Sequence, residues 1–185
     1  AAFNNISVWW HVFGAAAIIG ILLFTTDNHQ SLNWMFTAQN NNSGFGDNTY
    51  WYLVLPLGFL LTQYTITGFD ASAHLSEETH DAHISAAKGI WKSIFYSAIG
   101  GYILLMAFLY AATNTDVINS FDPAVNPFGG GSVIAVLYTS LGGGLAFKTV
   151  MIITTVGQIF CVAACVTSCS RMMFAFSRDG AVPGG

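Results

Sequence analysis

Residues 53–74 read LVLPLGFLLTQYTITGFDASAH. The first nine are apolar and suit a helix in hydrocarbon. From Thr62 onward the stretch turns polar and holds Gly68 and Asp70. A charge near the centre of a membrane helix costs about 2.5–3.5 kcal/mol even on the lenient insertion scale, so such a residue usually faces a cavity or a partner. Thr65, Thr67 and Gly68 are also poor helix formers beside Ala or Leu. A helix broken around residues 65–68 would free backbone carbonyls and amides. These persist at membrane depth only where they line a cavity or bind something, and broken helices of this kind hold substrate at the midplane of secondary transporters. On spacing alone, a packing notch at Gly68 with Asp70 hydrated at the interface fits equally well.

The rest of the chain sets that stretch in a membrane. Its 185 residues include five Lys+Arg and nine Asp+Glu, 8% charged against 54% apolar, with a mean hydropathy of +0.56. An average soluble domain has roughly 25% charged residues, and so few charges cannot form a solvated shell. The 15% aromatic content excludes disorder. A net charge of −4 with five basic residues excludes a surface that tracks phosphates, so no nucleic-acid partner is expected. No Asp, Glu, Lys or Arg occurs in 1–26, 48–69, 93–115, 123–147 or 149–170. About 20 apolar residues cross the hydrocarbon core, which places spans near 6–24, 51–71, 93–112 and 145–170. The apolar part of the remaining gap, 132–140, is too short and reads as a short helix packed in a loop. The 185 residues are expected to form one all-α transmembrane domain fragment, with the lipid bilayer as its first partner.

Basic residues orient the spans. Lys88, Lys92, Arg171 and Arg178 fall in the 72–92 loop and the 171–185 tail, on one side. The 25–50 and 113–144 loops have none, and only Lys148 dissents. The first side is therefore cytoplasmic. The chain has no initiator Met and stops at Gly185, and so reads as a piece of a longer polytopic protein whose missing helices complete it.

Other candidate groups are weaker. Cys161, Cys165 and Cys169 share a helix stripe and read as small packing residues. His74, His80 and His83 offer metal-ligand chemistry in an acidic loop, but the zincin spacing H-E-x-x-H is absent. No enzyme activity and no bound metal are expected. A membrane metal-binding protein using these histidines is one alternative. A structural four-span subunit is another, and would have an unbroken second helix.

Three segments carry a family resemblance. Residues 67–79, TGFDASAHLSEET, resemble the sixth transmembrane helix of amino acid permeases in the amino acid–polyamine–organocation superfamily, nearest the GABA and choline permease branch. Residues 170–183, SRMMFAFSRDGAVP, are similar to the signature after the eighth helix, and 88–91, KGIW, to the start of the seventh. The resemblance implies helices five to eight of a polytopic, inverted-repeat, LeuT-like transporter fold with a broken helix near residues 65–70. It implies a secondary transporter of amino acids or related amines in the cell (plasma) membrane, working by alternating access. Substrate ammonium would dock on carbonyls of Thr65, Ile66 and Thr67, with Gly68 at the break and Tyr64 covering the substrate. Asp70 takes the position of a family acid linked to coupling or gating. His11 lies near the place where relatives carry a Lys, and Glu77 and Glu78 would pair with cytoplasmic cations to close an inner gate. No cofactor is implied. A proton is the expected coupling ion ahead of Na+, for which Thr167 and Ser168 would supply hydroxyls.

Overall fold

The computed structural model describes residues 2–37, 44–76 and 79–181. They form α1 (Ala2–Phe24), α2 (Leu32–Thr37), the short α3 (Asp47–Thr49), a wide π turn (Tyr50–Val54), α4 (Leu55–Gln63), a tight 3-10 turn (Tyr64–Ile66), α5 (Ala71–His74), α6 (Ala82–Ala111), α7 (Thr115–Asn119), α8 (Val133–Leu141) and α9 (Leu145–Arg178). No strand occurs among the described residues. Four stretches are long and apolar enough to cross a membrane: Asn5–Phe24, Asp47–His74, Ala82–Ala111 and Leu145–Arg178. Three of them are continuous helices. The second is the interrupted one, as its mixed sequence predicts.

Helix ends and membrane boundaries differ. The 30 residues of α6 extend about 45 Å at 1.5 Å per residue, against a hydrocarbon core of about 30 Å. Its first turns, with Lys88 and Lys92, therefore lie beyond the apolar window at 93–112. The 34-residue α9 likewise runs past 170, through Arg171 to Arg178. It stops in a Schellman motif: the Ala181 N–H donates to Phe176 O (2.9 Å) and the Gly180 N–H to Ser177 O (3.2 Å), with Gly180 at φ +74°.

The chain forms two compact units, and α6 and α9 contribute to both. The first comprises residues 1–40 and 102–158. Its core joins Ile18 and Leu22 of α1, Ala107 and Ala111 of α6, Leu137 of α8 and Val150 of α9. Leu22 and Val150 are fully buried. Gly14 lets α1 approach α9 closely, because a Cβ there would sit 2.8 Å from Ile153 Cγ2. Beside it the Trp10 indole N–H donates to Ile153 O at 3.1 Å.

The last carbonyls of a helix lack intrahelical donors, and other segments supply them at the end of α6. The Gln30 backbone N–H donates to Tyr110 O (2.8 Å), its Nε2 to Ala112 O (2.8 Å), and Ser140 Oγ to Ala111 O (2.6 Å). The following loop is organised by Asn126, which is 2% exposed. Its Nδ2 donates to the carbonyls of Ile118, Ser120 and Gly129, and its Oδ1 accepts from the Phe128 N–H. The segment read as a short loop-packed helix is α8. Ser132 caps it by accepting from the Ala135 N–H, and it buries Ala135 and Leu137.

The second unit comprises residues 41–101 and 159–185. It holds the interrupted span, the first two-thirds of α6 and the last part of α9. Large apolar side chains point outward in both units: Phe13 is 65% exposed and Ile159 62%. Apolar patches of this extent mark surfaces covered by lipid or protein.

Candidate functional site

The interruption of the second span is the candidate site. After α4 ends at Gln63 the backbone tightens through Tyr64–Ile66. Thr67 then turns extended (φ −61°, ψ 140°) and Gly68 takes φ +88°. This is the pattern of a type II turn, whose third residue needs positive φ and so favours Gly. α5 restarts the helix at Ala71.

The hydrogen bonds around the turn are uneven. Tyr64 O accepts from the Thr67 N–H (3.1 Å), Gly68 O from the Ala71 N–H (3.1 Å) and Asp70 O from the Ala73 N–H (2.8 Å). The turn over Thr67 and Gly68 closes on the Ile66 carbonyl, while among the described residues no backbone hydrogen bond ends on Thr65 O or Thr67 O. The Thr67 hydroxyl donates back to Gln63 O at 3.4 Å. Thr65 O and Thr67 O thus lie outside the regular helical ladder, in a stretch that belongs to an apolar span. Tyr64 sits at the edge of this turn and is 71% exposed.

Two glycines of α6 seat the turn, and sequence reasoning gave neither of them that role. A Cβ at Gly101 would lie 2.5 Å from Thr65 Cγ2. A Cβ at Gly89 would lie 3.0 Å from Ser72 Cβ, and Ser72 Oγ also donates to Ala86 O (3.4 Å). The broken segment is thus held against α6 on both sides of Gly68. The adjacent pair Gly100-Gly101, inside an apolar helix, was the available signal, since small residues let membrane helices approach closely.

Asp70 follows the turn with its carboxylate 56% exposed, 3.2 Å from Nε2 of His74 one helical turn on. His74 also lines a cleft of about 720 Å³ with Ser76, Thr167, Ser170, Arg171 and Phe174. Thr167 donates its hydroxyl to Ala163 O on its own helix. His11 lies in the other unit. Its Nδ1 is 2.7 Å from Ser7 O, which can only accept, so this nitrogen carries the proton in that contact. Its Nε2 faces Gly157, 3.6 Å from where a Cβ there would be. Glu77 and Glu78 lie outside the described residues. Among those described, no three His, Cys, Asp or Glu side chains gather as metal ligands would, and His80 instead lies 3.6 Å from Asp81.

Comparison with known proteins agrees with the motif resemblance. The profile of the amino acid permease family matches residues 1–184. Amino-acid permease BAT1 of Arabidopsis thaliana is 34% identical over 184 residues, covering 97% of this chain and 35% of that protein. Its homolog in Oryza sativa subsp. japonica is 34% identical over 187 residues, covering 98% and 35%. The GABA-specific permease of Saccharomyces cerevisiae is 33% identical over 136 residues, covering 74% and 23%. The chain thus spans about a third of the length of its plant relatives. No solved structure matches it. With four apolar spans, an interrupted second one and a family match over its whole length, the chain belongs to the amino acid permease family of multi-pass integral membrane proteins.

Proposed function

We propose that the full-length protein carrying this segment is a secondary transporter for amino acids or related amines in the cell membrane, working by alternating access. One observation carries the reading: the second span breaks at Gly68 and takes the Thr65 and Thr67 carbonyls out of the helical hydrogen-bond ladder. A structural subunit has no use for such a break. Exposed carbonyls attract an ammonium group without a fixed negative charge, so they permit release as well as capture. Tyr64 covers the bound group. Asp70, on the turn after the break, takes up and gives back the coupling proton, and its protonation biases the inward- and outward-facing states. His11, Glu77 and Glu78 serve coupling and gating in the same scheme. Relatives named for amino acids, GABA and polyamines support this substrate range.

The test is uptake of radiolabelled amino acids, GABA, choline and polyamines by the full-length protein in proteoliposomes, with and without an inward proton gradient. Saturable uptake of one class, stimulated by the gradient, is the expected result. No uptake of any amine by correctly inserted protein would overturn the reading.

A further inference from the structure

His74 lies beyond the turn proposed to hold substrate, and its position is specific. Its Nε2 lies 3.2 Å from Oδ2 of Asp70, and its side chain is 30% exposed against 56% for Asp70. The same residue lines the 720 Å³ cleft, whose other polar members are the hydroxyls of Ser76, Thr167 and Ser170 and the guanidinium of Arg171. A space of that size, with several hydroxyls, accommodates hydrogen-bonded water. The imidazole therefore touches the carboxylate with one nitrogen and lines a largely apolar cleft whose polar members are three hydroxyl residues and Arg171.

We propose that His74 relays the coupling proton between Asp70 and the water of this cleft. The inference rests on the reading of Asp70 as the coupling acid and adds the route by which its proton leaves. In the loaded state Asp70 is a carboxylic acid whose O–H donates to Nε2, and the neutral ring carries its proton on Nδ1. On release the carboxylic proton passes to Nε2 as the Nδ1 proton passes to cleft water. Asp70 becomes a carboxylate accepting from Nε2–H, the ring ends neutral in its other tautomer, and one proton has moved to the water. The return exchange between tautomers through the same water resets the ring.

The groups facing His74 suit this traffic. Asp70 lies on its own segment, and Arg171 of α9 lines the same cleft. Where α6 meets α5, Gly89 approaches Ser72 and Ala86 O accepts from the Ser72 hydroxyl.

The experiment uses the full-length protein in proteoliposomes and radiolabelled GABA, or whichever panel member the wild type takes up. Three chains are compared: wild type, His74→Ala and His74→Gln. Gradient-driven uptake falls about a hundredfold or more in both variants, in the range expected for losing a positioned proton-transfer group. Added imidazole, present on both sides, restores the His74→Ala variant, whose site has room for it, and the restored rate follows the neutral fraction of imidazole as pH is varied. Full gradient-driven uptake in either variant would overturn the relay. So would a loss in His74→Ala that imidazole leaves unchanged, because that is the mark of a merely structural contact. Wild-type uptake indifferent to the gradient would instead sink the coupling role of Asp70, a result visible before any variant is made.

Discussion

Gly68 and Gly101 decide at the residue scale whether the break exists. At φ +88° a side chain other than Gly or Asn is strained by roughly 1–2 kcal/mol. Gly68→Val therefore lowers transport strongly, whereas Gly68→Asn, which tolerates positive φ, keeps a larger share of it; equal losses in the two variants would argue against the turn. Gly101 acts by space rather than by conformation. A Cβ 2.5 Å from Thr65 Cγ2 forces the turn away from α6, and overpacking of this kind costs about 1–3 kcal/mol. Thr65→Ser removes the offending methyl and keeps the backbone carbonyl. We expect Gly101→Ala alone to depress both thermal stability in detergent and uptake, and Gly101→Ala with Thr65→Ser to recover most of each. A double-mutant cycle with no coupling between the two sites would refute the contact. The sequence announced Gly68 through its company of Thr65, Thr67 and Asp70. Gly101 stayed hidden because its function is a distance to a residue 36 positions earlier, and periodicity within one helix says nothing about that.

At the element scale the interrupted span contrasts with the loop between α6 and α9. The span was legible because a run of apolar residues turning to Thr, Gly and Asp breaks the helical pattern locally. Short α8 was legible too, since Ser132 and Gly142 bracket nine mostly apolar residues. The loop's organiser was not. Asn126 looks like one more polar residue beside Pro127, yet it is almost wholly buried and hydrogen-bonded to four backbone groups. Removing it strands carbonyls that the fold has shielded from water, at about 1–3 kcal/mol for each one left unsatisfied. Asn126→Leu should therefore lower the melting temperature of the purified protein markedly. Asn126→Asp should do nearly as much harm despite its matching shape, because a carboxylate cannot donate to Ile118, Ser120 and Gly129. A melting temperature that falls for Leu and holds for Asp would show that shape, not donation, is what the loop requires.

At the scale of the whole molecule the open question is which way the chain faces. Lys88 and Lys92 lie in the part of α6 that exceeds the hydrocarbon thickness, and Arg171 and Arg178 lie in the corresponding extension of α9. Four cations thus sit beyond the apolar windows of α6 and α9, and one cation, Lys148, lies near the start of α9. Cations close to span ends are the ones that fix orientation, so the 72–92 loop should be cytoplasmic and the 25–50 loop external. Single cysteines test this in a full-length background freed of native cysteines, Cys161, Cys165 and Cys169 included. Asn28→Cys, at an exposed position, should react with a membrane-impermeant maleimide on intact cells. His80→Cys replaces a side chain that is 97% exposed, so failure to react cannot be blamed on burial; it should label only after the membrane is opened. The reverse pattern would put the Asp70–His74 pair and its cleft on the outside. The proton would then enter through His74 rather than leave by it, and inward transport would have to start from the face assigned here to release.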